Sequence, residues 1–207
     1  MNKPFYNQLK EQIGIDTLFS LSMIKPIFHS MSMDAIKEEM SRLSKKGKVT
    51  RLEQGIYLID SGRIDRDVLE MKSIFFRYIE SGKNVYGFFY GENFIRYLKG
   101  LPLLKKIEIV TNKVTSGKKE SFQFGRRVVL RKPYVKITKR NVTLLSFLTY
   151  ISFASEEKIK EDYSILANYV RVNRLSAPEA VDLLTKLPGK TSKKLLSSGF
   201  YKLMWKH

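Results

Sequence analysis

From Ser121 to Arg131 basic, polar and apolar residues are interleaved in a strand-like way: Ser121-Phe122-Gln123-Phe124 alternates with the two-residue period of a β-strand, and in Arg127-Val128-Val129-Leu130-Arg131 an apolar run lies between two cations. Successive strand side chains point to opposite faces of a sheet. A chain with this pattern is constrained to build a sheet that buries one face and presents cations on the other. Arg127 and Arg131 are expected to share a side with Val129, while Val128 and Leu130 point away. The pattern lies in the most basic part of the chain. Residues 105–140 hold twelve Lys and Arg against two carboxylates, Glu108 and Glu120, a local net charge of +10. A fixed positive surface attracts a polyanion, most often nucleic acid. The candidate patch is Lys118, Lys119, Arg126, Arg127, Arg131 and Lys132. The bland alternative is a solvated basic sheet with no partner.

The charge is unevenly spread. The net +18 divides into +2 for residues 1–62, +12 for 63–150 and +4 for 151–207. A uniform bias would speak only of solubility; this distribution points to a patch. Thirteen Phe and eleven Tyr in 207 residues are ample for a core in one or two domains. There is no apolar run of about 18 residues, so no membrane span is expected. Met1-Asn2-Lys3-Pro4-Phe5-Tyr6 lacks the apolar run of a signal peptide. The absence of cysteine excludes disulfides and thiolate metal sites and fits a cytoplasmic protein.

The first 62 residues read as three helices and a hairpin. Phe5, Leu9 and Ile13 recur every four residues and predict a helix over 3–13. A short helix over 20–25 is ended by Pro26, which disfavours helical backbone at Lys25. Ser32 is the expected N-cap of a third helix, 33–46, with Asp34 in its first turn and Lys45-Lys46 in its last. Met33, Ile36, Met40 and Leu43 form its buried stripe, and Gly47 ends it. Val49–Leu52 and Ile56–Ile59 flank a turn at Glu53-Gln54-Gly55 and predict a hairpin. This order is that of a winged helix-turn-helix, which offers one helix face to the major groove. The expected DNA-facing residues are Ser32 at the cap, Lys37, Ser41 and Lys45 with Arg42 beside them, and Lys48, Arg51 and Gln54 on the hairpin. A small helical domain used only for packing is the competing reading. Residues 1–62 are expected to fold alone, joined through Asp60–Arg63 as a linker.

Residues 63–207 read as a basic mixed α/β domain with a helical C-terminal tail, so the whole chain is expected to be α+β. A helix over 65–81 should bury Val68, Met71, Phe75, Tyr78 and Ile79. A strand at 86–90 and a helix over 92–99 come next. Four strands are expected to follow, Lys106–Val110, Ser121–Phe124, Arg127–Arg131 and Val135–Thr138. Asn141 should cap a helix running through Tyr150. Ser176-Ala177-Pro178-Glu179 has the spacing of a capping box. A last helix spans 192–198, and Trp205, Phe200 and Tyr201 are expected to anchor the end by packing.

The segment Ser41-Arg42-Leu43, then Gly47, an apolar residue, Arg51-Leu52 and Gly55-Ile56-Tyr57, resembles the winged helix of AbiEi-type antitoxins of type IV toxin–antitoxin systems. The resemblance continues in Ile107–Lys113, Arg126–Pro133, Ile137–Asn141 and Leu187–Leu196, so it covers nearly the whole chain. It departs at Glu53-Gln54, where family members often carry a basic or polar residue before the glycine. The resemblance implies a sequence-specific transcriptional autorepressor bound to promoter repeats of double-stranded DNA. It also implies a functional partner, a nucleotidyltransferase-like toxin, counteracted through the second domain. A stand-alone regulator and a basic protein-interaction module are the alternatives.

No enzyme, cofactor or metal site is expected. A nuclease needs clustered carboxylates, and the basic region offers Glu108 and Glu120 only; Glu108 is expected to neutralise Lys106 or a neighbouring strand cation. Two histidines, His29 and His207, are too few for a histidine zinc site. Gly82, Gly87, Gly91 and Gly100 are followed by no Gly-Lys-Ser/Thr and make no phosphate loop.

Overall fold

The computed structural model describes residues 4–53, 55–63, 65–123 and 125–205. Of the sequence expectations, Gln54, Phe124 and His207 lie outside the described residues. The chain is α+β and divides into two compact units, one running to Arg77 and the other beginning at Tyr78. Composition placed that boundary after residue 62. The first unit's core explains the difference.

That unit begins with α1 (Phe5–Ile13), β1 (Leu18–Ser20), α2 (Leu21–Ile24) and α3 (Met33–Lys45), followed by β2 (Thr50–Glu53) and β3 (Ile56–Leu58). α3 forms where local chemistry demands it. The Ser32 hydroxyl accepts from the Ala35 N–H at 3.1 Å, Ile36, Met40 and Leu43 are buried, and Gly47 takes φ +66° just past the end. β1 escaped the sequence reading because three residues are too few to display a period. It pairs with β3, giving an antiparallel sheet in the order β1-β3-β2.

Both faces of this sheet are covered. Phe19 and Tyr57 enter a core with Leu9, Ile24, Ile36 and Met40. Leu18, Ile56 and Leu58 form a second cluster, closed by Leu69 and Phe76 of α4 (Arg66–Tyr78). A fragment ending at residue 62 would open that cluster to water, so a fragment ending at Arg77 is expected to be the more stable of the two. α4 carries two apolar stripes. Leu69 and Phe76 pack on the sheet and Ile74 is fully buried; of the expected stripe, Tyr78 and Ile79 are buried as expected, whereas Val68 is 47% exposed. The expected linker at 60–63 is pinned as well. The Ser61 N–H and hydroxyl both donate to the Asp16 carboxylate, at 2.8 and 2.7 Å, and these bonds hold the Asp16 carboxyl below its usual range.

The second unit opens with a short hairpin, β4 (Glu80–Ser81) and β5 (Asn84–Val85), where a helix through 81 was expected. Then come β6 (Gly87–Phe89), α5 (Glu92–Leu98), β7 (Lys106–Thr111), β8 (Lys118–Gln123) and β9 (Arg126–Arg131). They form a sheet in the order β6-β7-β9-β8, with β7 and β9 parallel and the outer pairs antiparallel. β8 is an edge strand, and its Lys118, Lys119 and Glu120 give that edge the charge that discourages strand addition.

The strand expected at 135–138 does not form. Side chains replace a strand partner there. Asn112 donates to the Ile137 carbonyl at 2.7 Å and accepts from the Ile137 N–H at 3.0 Å, while Asn141 accepts from Thr138 N–H at 2.8 Å and donates to the Lys136 carbonyl at 3.0 Å. Asn141 therefore spends its side chain backward and gives no side-chain cap to α6 (Val142–Phe153). α6 is buried along Leu144–Ser152, and its apolar residues run around the whole helix, as a central helix requires. Then follow α7 (Glu156–Glu161), α8 (Tyr163–Val172), α9 (Ala177–Leu184), α10 (Lys190–Ser197) and α11 (Phe200–Met204). β6, α9 and α10 pack against α6. Ser176 makes no side-chain cap bond, so the capping box is not realised, although Pro178 sits in the first turn as expected. Phe200 is fully buried and anchors the C-terminal end, whereas Trp205 is 61% exposed and does not. Among the described residues, no helix is long and apolar enough to cross a membrane.

Candidate nucleic-acid interface

Two groups of candidate residues fall in different units, and each is built differently. In the first unit, the stripe Ile36, Met40 and Leu43 faces the core, so the opposite face of α3 is left to solvent. Lys37, Ser41 and Lys45 are exposed there at four-residue spacing, and Arg42 is exposed beside them. Two of these cations have partners on their own helix: Lys37 pairs with Asp34 and Arg42 with Glu39, each at 2.8 Å. The Lys37 hydrogen bond and charge hold the Asp34 carboxyl below its usual range. Exposed pairs of this kind contribute about 0–1 kcal/mol, so a phosphate or base edge can displace them. Ser32 is occupied as the N-cap, which leaves it at the mouth of the helix. Lys48 is exposed and lies over the Tyr6 ring at 5.0 Å, and Arg51 is exposed on β2.

In the second unit, register assigns the sheet residues to faces. Lys118, Glu120 and Phe122 of β8 lie opposite Arg131, Val129 and Arg127 of β9, and Glu108 of β7 lies opposite Val129. Arg127 and Arg131 share a side with Val129, as the alternation requires. The expected open row of cations is nevertheless corrected. Val129 is fully buried, as are Val128 and Leu130. Arg127 and Lys118 both pair with Glu120, at 2.5 and 2.6 Å, and Arg131 pairs with Glu108 at 2.8 Å. Lys106 also reaches Glu108, at 3.2 Å, so the neutralising role read for Glu108 holds for both cations. Lys119 and Lys132 are exposed, and Arg126 is half-buried. Reversing Arg127 and Arg131 to Glu would therefore set carboxylates against Glu120 and Glu108. Such variants would disturb the sheet as well as its surface potential.

The two carboxylates report this pairing in their acidity. Burial opposes ionisation of Glu108, but hydrogen bonds from Arg131 and Lys106 outweigh it and leave its carboxyl below the usual range. Glu120 is pushed down to about 2 by hydrogen bonds from Lys118 and Arg127. A folded-state pKa below the unfolded one adds stability above the unfolded value of about 4.3 and loses it as pH falls through the folded value. We expect the Glu120 side-chain carboxyl NMR shift to titrate near pH 2. A midpoint at or above about 4 would mean that these pairs are not held in solution.

Sequence reasoning missed the aromatic surroundings of Arg131. Its guanidinium lies 4.6 Å from the Tyr90 ring centroid, and Tyr90 packs on Phe153 at 4.9 Å. Tyr134 is 64% exposed, three residues after Arg131. The signal was present as Arg131-Lys132-Pro133-Tyr134, a basic and aromatic run outside the expected strand pattern. Among the described residues, no group of three or more His, Asp or Glu is placed to hold a metal ion. The chain matches no protein-family model, no curated protein and no solved structure.

Proposed function

We propose that the first unit is a winged helix that reads duplex DNA. In this reading the protein is a transcriptional autorepressor at repeats of its own promoter. The carrying observation is α3: a capped helix with a fully buried stripe on one side and exposed Lys37, Ser41, Arg42 and Lys45 on the other. The helix–strand–helix–helix–hairpin order and the β1-β3-β2 sheet support the reading, because in a winged helix this frame holds one helix against the major groove. Exposed Lys48 and Arg51 fit phosphate contacts from the hairpin. The first unit, with 13 basic and 10 acidic residues to position 77, carries a net charge of only +3. Base contacts must then supply more of its affinity than bulk charge.

The antitoxin role rests on the sequence resemblance alone. It assigns neutralisation of a nucleotidyltransferase-like toxin to the second unit, and rescue of growth on co-expression with the product of an adjacent gene tests it.

The DNA reading is tested on the full chain with its own promoter. Lys37→Ala and Ser41→Ala are each expected to weaken binding by about 1–3 kcal/mol if they touch bases. Both side chains are exposed, so the melting temperature should hold. Unchanged affinity in both variants would remove this face of α3 as the reader.

A further inference from the structure

Between the sheet and α6, the second unit holds a cleft of about 520 Å3. That lies within the range of small-ligand sites, about 300–1,000 Å3. Its lining combines three aromatic rings, Phe88, Tyr90 and Tyr134, with three cations, Lys118, Arg131 and Lys132, and includes no carboxylate. The cations are not equivalent. Lys118 is held from outside the lining by Glu120, and Arg131 by Glu108. Lys132 is exposed and, among the described residues, has no ion pair. Arg131 lies over Tyr90, and its buried Nε–H has no acceptor. Tyr134 leaves most of its ring open to solvent beside these donors.

Each half of this lining excludes a simpler ligand. A purely apolar molecule would cover Lys132, which has no carboxylate beside it, without a counter-charge. A bare inorganic anion would make no use of the rings. Duplex DNA keeps its bases stacked and paired, and so offers no free ring to a cleft of this size. A molecule with a planar ring at one end and phosphate at the other satisfies both halves.

We propose that this cleft binds a nucleotide, its base stacked on Tyr134 and its phosphate held by Lys132, Arg131 and Lys118. The shared chemistry has two sources, a free nucleoside triphosphate or one nucleotide of a single strand. The site lies in the second unit and does not depend on α3 reading DNA.

The test uses the full chain and calorimetric titration with ATP, GTP, CTP and UTP, with inorganic triphosphate, and with an eight-nucleotide single strand. Saturable binding at one site per chain is expected. Tyr134→Ala should weaken nucleotide binding by about tenfold and leave triphosphate binding unchanged, because it removes only the stacking surface. Lys132→Ala should weaken both by about tenfold and lower the salt dependence. Both side chains are exposed, so neither variant should unfold. Binding of triphosphates identifies the free-nucleotide source. Binding of the oligonucleotide alone identifies the strand. Either result carries the proposal. Triphosphate binding as tightly as ATP, with Tyr134→Ala silent, would reduce the cleft to a non-specific anion site and overturn it. So would the absence of saturation by any of these ligands at millimolar concentration. Promoter-duplex affinity measured on Tyr134→Ala should equal that of the wild type, which keeps failure here distinct from failure of the α3 reading.

Discussion

Replacing Asp162 by alanine is expected to destabilise the second unit by about 3 kcal/mol. The Asp162 side chain is 1% exposed, and it accepts from the Tyr150 hydroxyl at 2.7 Å and from Lys99 Nζ at 2.9 Å, with Lys158 Nζ at 3.6 Å. It stands between α7 and α8 and ties them to α6 through Tyr150 and to the end of α5 through Lys99. Alanine would strand the buried Tyr150 hydroxyl without an acceptor, which costs about 1–3 kcal/mol, and would remove charge-assisted hydrogen bonds worth about 1.5–3 kcal/mol each. The total stays near the lower end of the 3–5 kcal/mol found when a buried pair is broken. Lys99 and Lys158 are 41% and 43% exposed and can rehydrate.

Acidity gives the same network a second readout. Burial alone would raise the Asp162 pKa, but hydrogen bonds from Tyr150 and Lys99 and the charge of Lys158 overcome it and hold the carboxyl low. Burial, and then the bond to Asp162, push the Tyr150 hydroxyl far above its ordinary range. A depressed folded-state value adds stability above the unfolded value of about 3.9, and that stability is lost as pH falls through the folded value. Asp162→Asn keeps an acceptor for Tyr150 and loses the charge. It should cost less than alanine and should lack the acid-side loss shown by the wild type. Denaturant unfolding at pH 7 and near pH 3 checks both points. An alanine variant with the wild-type midpoint at pH 7 would show that the network carries no stability.

Gly87→Ala is expected to be comparably damaging, at about 3 kcal/mol, the upper end of the cost of overpacking. The reason is space, not backbone conformation. A Cβ at Gly87 would collide with the Tyr78 carbonyl oxygen and stand 2.5 Å from the Val110 carbonyl oxygen. Both obstacles are backbone, and Val110 belongs to the neighbouring strand β7, so neither can swing away as a side-chain end would. Gly55 is the control. It takes φ +82°, and an added Cβ there meets nothing within 4 Å, so Gly55→Ala meets only the left-handed strain of about 1–2 kcal/mol. Denaturant midpoints of the two variants should therefore separate. If Gly55→Ala proved the more damaging, the close packing of β6 on β7 would be wrong.

A strand glycine such as Gly87 marks a close backbone approach in principle, yet nothing local says what approaches. The same contrast runs through the chain. α3 was legible because its determinants are local: Ser32 reaches only to Ala35, Ile36 and Met40 recur at helical spacing, and Gly47 follows the last turn. The cores of β7 and β9 were legible because alternation in the first, and a short apolar run rich in β-branched residues in the second, need no distant partner to be read. The α+β class follows from those two periods together.

Tertiary structure decided what no window of sequence contains. α4 has apolar residues on two sides, and only the open face at Leu18, Ile56 and Leu58 shows that Leu69 and Phe76 are the ones that close the first unit's sheet. That packing moves the unit boundary to Arg77. Residues 135–138 had strand-like alternation, but Asn112 and Asn141 satisfy their backbone first. The cations around β9 were countable from the sequence. Their pairing with Glu108 and Glu120 was not, because β7 reaches β9 by a parallel register and β8 by an antiparallel one. Charge belongs to residues and is read directly. Potential belongs to an arrangement, and here folding cancels charge at Arg127 and Arg131 while leaving Lys132 beside the exposed ring of Tyr134.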